Sequence, residues 1–96
     1  MIEKKTDSEF LVKGILDFDN VSVVLAQAYA CIAEKTGEVI FNFAGLQQSN
    51  SAGLALLTAL LRYAKQQHCV VQFMNIPGKL WEAAKTSNLD EILPCV

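Results

Sequence analysis

The stretch "LQQSNSAGLALLTALLRYAKQQ", residues 46–67, joins a polar turn to a long apolar run. At about 100° per residue, Leu56, Leu57, Leu60, Leu61, Tyr63 and Ala64 share one half of a helix with Leu54, the half that packs on a sheet. Ala55, Thr58, Ala59, Arg62, Lys65 and Gln66 share the other half, smooth near the helix start and charged further down. That outer half reads either as an ordinary solvated face, with alanine chosen for helix propensity, or as a docking surface for another protein.

The helix start carries a surplus of polar residues. Ser49, Asn50 and Ser51 are all good N-caps, because each side chain can accept a hydrogen bond from a first-turn amide. Capping does not explain Gly53, which costs up to about 1 kcal/mol relative to alanine inside a helix. It predicts a close approach to an open backbone, by a neighbouring chain or by an anion at the positive helix terminus. A phosphate on Ser51 would sit there and change what could dock.

Working outward, "EVIFNFAG" (38–45) and "CVVQFMNIP" (69–77) are β-rich runs that flank this helix as inner strands. Upstream, Asp19 or Asn20 caps a helix with apolar residues at Val21, Val24, Leu25, Ala28 and Ile32, ending at Gly37. Before it, "EFLVKGIL" (9–16) alternates as one strand, and residues 2–5 form a hairpin partner whose Lys4 and Lys5 suit a sheet edge. After Pro77-Gly78 a third helix carries Leu80, Ala83 and Ala84 on one side. The order β-β-α-β-α-β-α, without linker or repeat, predicts a single α/β domain over 1–96: a small mixed sheet of about four strands with three main helices.

The chain has 96 residues, a net charge of -2 and no basic block, which argues against nucleic acid as a partner. No signal peptide and no direct membrane span are legible, so a cytoplasmic protein is expected, one that reaches a membrane by docking onto a protein that spans it. Cys31, Cys69 and Cys95 are an odd number with no C-x-x-C pair, which suggests packing residues rather than a disulfide framework or a metal site.

No catalytic set emerges. Ser51, two residues before Gly53, has some likeness to a nucleophile elbow, but Ser49 stands where the motif has its first glycine. The sole histidine, His68, lies at the far end of the same helix, roughly 25 Å away, out of reach as a base. Phosphate-binding loops are absent, and Asp17, Asp19 and Glu38 suit turns and caps. The expectation is no enzyme and no cofactor. Trp81 is a weaker candidate for partner contact, since tryptophan serves cores and interface anchors alike.

With "NSAGLALLTALLRYAKQQ" in this element order, the chain resembles the STAS domains of anti-sigma factor antagonists and sulfate transporters. Asn50, Ser51, Ala52, Gly53 and Leu54 fall on that family's D-S-[S/T/A/G]-G-L-like motif, with Ser51 on the phosphorylatable position and Asn50 in place of aspartate. The late "KLWEAAKTSNLDEILP" brings the likeness closer to the MlaB type, small STAS subunits of Gram-negative phospholipid ABC transporters.

The resemblance implies a STAS fold and a non-catalytic accessory subunit bound on the cytoplasmic side to the transporter's ATPase, and through it to a membrane permease. Its contact surface would comprise Asn50, Ser51, Ala52, Gly53, Ala55, Thr58, Ala59 and Arg62, with Trp81 as an outlying member. The alternative it implies is an anti-sigma factor antagonist, with an anti-sigma factor and serine kinase as partners, switched by phosphorylation of Ser51.

Overall fold

The structure, a computed structural model, describes residues 1–34, 37–49, 51–89 and 91–94. Along these run β1 (Ile2–Lys4), β2 (Glu9–Val12), β3 (Gly14–Leu16), α1 (Val21–Ala33), β4 (Glu38–Asn42), β5 (Leu46–Ser49), α2 (Ala52–Gln66), β6 (Val70–Met74) and α3 (Gly78–Thr86). Four strands form a mixed sheet in the order β1-β2-β4-β6. β1 is antiparallel to β2, whereas β2, β4 and β6 are parallel, with Phe10 beside Phe41 and Phe41 beside Phe73. The expected architecture of mixed sheet and three helices is therefore present.

Two strands differ from the sequence reading, for one reason. "EFLVKGIL" is not continuous: Gly14 takes φ +90°, a conformation that glycine adopts without strain, and the chain leaves the main sheet there. Beyond it β3 pairs in parallel with β5, a second ladder built from the polar "LQQS" that the sequence reading gave to a turn. The Gly14 amide donates to the Gly45 carbonyl at 3.1 Å, tying the two departures together.

Period-two alternation puts Phe10, Val12, Val39, Phe41, Val71 and Phe73 on one face of the sheet, all buried. Against it lie Val24, Ala28 and Ile32 of α1 and Leu56, Leu57, Leu60 and Ala64 of α2, the half of α2 that its periodicity selected. Rings meet in tilted pairs, Phe10 with Phe41 at 6.1 Å and Phe43 with Phe73 at 5.9 Å. Tyr29 of α1 and Tyr63 of α2 pack at 4.3 Å where the helices touch. The opposite sheet face presents half-buried Leu11, Ile40, Gln72 and Met74.

Both edges of the main sheet are guarded. The outer strand β1 is short and carries exposed Glu3 and Lys4, with Glu3 paired to Lys13. On the far side the Phe73 amide of β6 donates to the Pro94 carbonyl at 2.8 Å, so the C-terminal segment, with Leu93 buried, covers that edge.

A polar hub marks where the chains leave the sheet. Asn42, 5 % exposed, donates from Nδ2 to Glu9 Oε2 at 3.0 Å, and its Oδ1 accepts from the Ala44 amide at 2.9 Å and from Asn75 Nδ2 at 3.1 Å. One side chain thus fixes β2, the β4–β5 turn and the β6–α3 turn. The hydrogen bond from Asn42, joined by the charge of Lys5, holds the Glu9 carboxyl below the usual carboxylate range.

The helix ends correct two further expectations. α1 stops at Ala33 with Glu34 as its C-cap, short of Gly37, whose carbonyl instead accepts from the Val70 amide at 2.8 Å beside β6. Residues 35 and 36 between them lie outside the described residues. At the other end Asn20 holds the N-cap position without a side-chain cap bond.

α2 closes in a Schellman motif, with the Cys69 amide on the Ala64 carbonyl at 2.9 Å and the His68 amide on the Lys65 carbonyl at 3.3 Å. His68 therefore takes φ 55°, where glycine is usual. Its role at the helix end is a backbone one. His68→Gly is expected to raise stability by about 0.5–1 kcal/mol, relief of left-handed strain outweighing the freer unfolded chain. A thermal melt checks this: an increase of a few degrees is expected, in contrast to the usual effect of adding glycine.

Candidate functional site

The site is built by the small parallel ladder. Leu16 of β3 lies beside Ser49 of β5, so both strands deliver the chain to the same end, one into α1 and the other into α2. Carboxyl ends of adjacent parallel strands are where α/β folds place their binding surfaces.

On the first branch, the turn 17–20 is pinned by side chains. Asp17 Oδ1 accepts the amides of Asp19 at 2.9 Å and Asn20 at 3.1 Å. Asn20 Oδ1 accepts from the Asp17 amide at 3.0 Å, and its Nδ2 donates to the Ile15 carbonyl at 2.7 Å. Asp17 thus serves the turn that the sequence suggests for it, while Asn20 spends its side chain on the same turn instead of on a helix cap, and Phe18 between them is 62 % exposed. Phe18 was passed over at the sequence level. Its signal was an aromatic ring inside the polar run "DFDN", where no helical or strand face exists to bury it.

On the second branch, Ser51 occupies the N-cap position of α2 at φ -62°, ψ -12°, exposed, with no cap bond from its hydroxyl. Its carbonyl accepts from the Leu54 amide at 3.1 Å. Of the three residues able to cap the helix, Ser51 holds the position without using its hydroxyl: a helix-like ψ turns the side chain away from the first-turn amides. The hydroxyl is left to solvent. Asn50 lies outside the described residues.

Gly53 is also a correction. Ala52 and Gly53 are buried, Ala52 fully, so the first turn lies against the body of the protein rather than standing open to an approaching chain. The surface that α2 does offer is a stripe at spacings of four, three and four residues: Ser51, Ala55, Thr58 and Arg62. Ser51, Ala55 and Arg62 are exposed, and Thr58 and the adjacent Ala59 are half-buried. Thr58 spends its hydroxyl on the Leu54 carbonyl at 2.9 Å, so its donor is already used within the helix. Arg62 makes no ion pair among the described residues.

The fold therefore brings five of the expected residues, Ser51, Ala55, Thr58, Ala59 and Arg62, onto one small, smooth surface that ends in a cation. Trp81 stands apart on α3, half-buried against the core. Among the described residues no group of His, Cys, Asp or Glu is placed to hold a metal ion. No helix there is long and apolar enough to cross a membrane. Cys69 is buried, its thiol directed to the Gly37 carbonyl at 3.1 Å, and Cys95 lies outside the described residues.

The architecture is shared with known proteins. A chain of the Acinetobacter MlaFEDB complex in its ATP-bound Vtrans2 conformation superposes with a TM-score of 0.82 at 26% identity, over 100% of this chain and 99% of that one. The unphosphorylated anti-sigma factor antagonist SpoIIAA gives 0.74 at 19% identity, over 100% of this chain and 86% of that one. The phosphorylated form of the Bacillus protein gives 0.68 at 19% identity, over 100% and 89%. No curated protein matches the sequence. The family described as "Mlab, STAS domain" matches residues 4–94. Nearly the whole chain is covered by that match, and the chain belongs to the MlaB-type family of STAS domains.

Proposed function

We propose that this protein is a non-catalytic accessory subunit that binds and supports the ATPase of an ABC-type phospholipid transport complex, on the cytoplasmic side of the inner membrane. The observation that carries the reading is its likeness to a chain of the MlaFEDB complex, end to end in both chains. An accessory domain of this kind needs a face to present and no chemistry of its own. The α2 stripe fits that need: Ala55 and Thr58, whose hydroxyl is already bonded within the helix, admit close approach, and Arg62 offers a charge at the rim.

The test is association with an ABC ATPase subunit of the same cell, measured by co-purification and titration. The wild-type chain is expected to co-purify. The pair Thr58→Arg and Arg62→Glu is expected to weaken binding at least about tenfold by steric block and charge reversal, with little change in melting temperature. Unchanged binding would remove the α2 face from the account.

A second reading, an anti-sigma factor antagonist with a serine kinase and an anti-sigma factor as partners, is favoured by one observation. The Ser51 hydroxyl is exposed and unused as a cap, open to phosphorylation. Mass spectrometry of protein isolated from cells in several growth states decides it. Unmodified Ser51 throughout, with no kinase bound, would set this reading aside.

A further inference from the structure

β4 has a strand on each side, β2 and β6, whereas β5, its continuation past the Ala44-Gly45 turn, pairs only with β3 among the described residues. The third strand is missing because β6 ends at Met74 and Asn75, at φ 57°, turns the chain away toward Pro77 and α3. Between the β3–β5 ladder and the start of α3 lies a cleft of about 580 Å³. Its deeper wall is apolar, with Leu46 and Leu80 buried, while Ile15, Gln47 and Gln48 are exposed around it.

Unlike the edges of the main sheet, β5 has no guard. It carries neither charge nor proline over Leu46–Ser49, and no described segment covers it as Pro94 covers β6. The charges on the cleft are unequal in their engagement. Asp17 already accepts two amides, but Lys79, exposed on the opposite wall, makes no ion pair among the described residues. An unpaired strand edge, an apolar floor and an unmatched cation describe one kind of ligand.

We propose that this cleft takes an extended acidic peptide segment of a partner protein. The segment adds to β5 as the third strand of the ladder, seats an apolar side chain over Leu46 and Leu80, and places a carboxylate at Lys79. The cleft uses none of the residues of the α2 face, so the proposal does not rest on the transport reading.

The test uses the full chain and displayed random peptides of about ten residues, long enough to run the length of a short strand. Enriched peptides are expected to alternate apolar and polar residues and to carry Asp or Glu. Methylating the backbone nitrogen of every second residue should abolish binding in one phase and leave it intact in the other, because only alternate amides face β5. Lys79→Glu, an exposed change, should weaken the acidic peptides about fivefold or more. The proposal is overturned if no peptide is enriched. It is equally overturned if the enriched peptides bind without regard to methylation phase or to Lys79→Glu.

Discussion

Phe41→Ala is expected to cost about 3–5 kcal/mol and to lower the melting temperature by about 15 °C or more. Phe41 sits on the central strand β4, fully buried, level with Phe10 on one neighbour and Phe73 on the other. Truncation leaves a cavity in the middle of the sheet, which neither α1 nor α2 can fill without abandoning its own packing. A domain of this size has only about 5–14 kcal/mol in hand, so a large part of its stability goes with one ring. Phe18→Ala is the control. Its ring is 62 % exposed, and the change is expected to stay within about 0.5 kcal/mol. If both substitutions destabilise alike in urea titrations, the assignment of Phe41 to the core and Phe18 to the surface is wrong.

The second large effect is at Asn42, and its sign depends on pH. In the wild-type chain the Glu9 carboxylate is favoured by the Asn42 amide and then by Lys5, so its folded pKa is depressed. That contribution is present above the ordinary carboxylate pKa and is lost as pH falls through the folded value, below about pH 4. Asn42→Asp keeps the shape but puts a second carboxylate 3.0 Å from Glu9 Oε2, in place of a donor.

One of the two acids must then take up a proton or repel its neighbour, and its folded pKa rises. At neutral pH the substitution is expected to cost about 3 kcal/mol, relieved as pH falls and a proton restores the hydrogen bond. Between about pH 7 and pH 4 the variant should therefore gain stability as pH falls while the wild-type contribution of Glu9 stays level, and below about pH 4 the wild type loses that contribution. Parallel curves would show that Asn42 and Glu9 do not interact.

Much of this fold is legible in the sequence, because the inner elements carry their own signals. "EVIF" and "CVVQFM" are rich in β-branched and aromatic residues, and α2 has a long apolar half that the structure buries as the periodicity directs. What the sequence hides is decided by partners far along the chain. Nothing local in "KGIL" or "LQQS" demands a second ladder; it forms because Gly14 turns β3 toward β5, and each supplies the other's hydrogen bonds. The terminus of α1 is hidden likewise, since Gly37 belongs to the neighbourhood of β6 rather than to the helix before it.

The site was partly legible for the same reasons. The α2 stripe follows from helical spacing alone, and Ser51, Ala55, Thr58 and Arg62 stand where spacing puts them. Gly53 misled, because a glycine in a first turn looks like an open backbone, whereas the tertiary fold buries it. Phe18 was hidden because its exposure depends on a turn pinned by Asp17 and Asn20.

The proposed docking of the α2 face on an ABC ATPase is open to a direct test by amide hydrogen exchange on the full chain, alone and bound to that subunit. Added protection is expected to be confined to the first turns of α2, from Ser51 through Arg62, and to the adjoining turn at Phe18. Protection confined instead to the open sheet face of Leu11, Ile40 and Met74, with α2 exchanging as in the isolated chain, would contradict it.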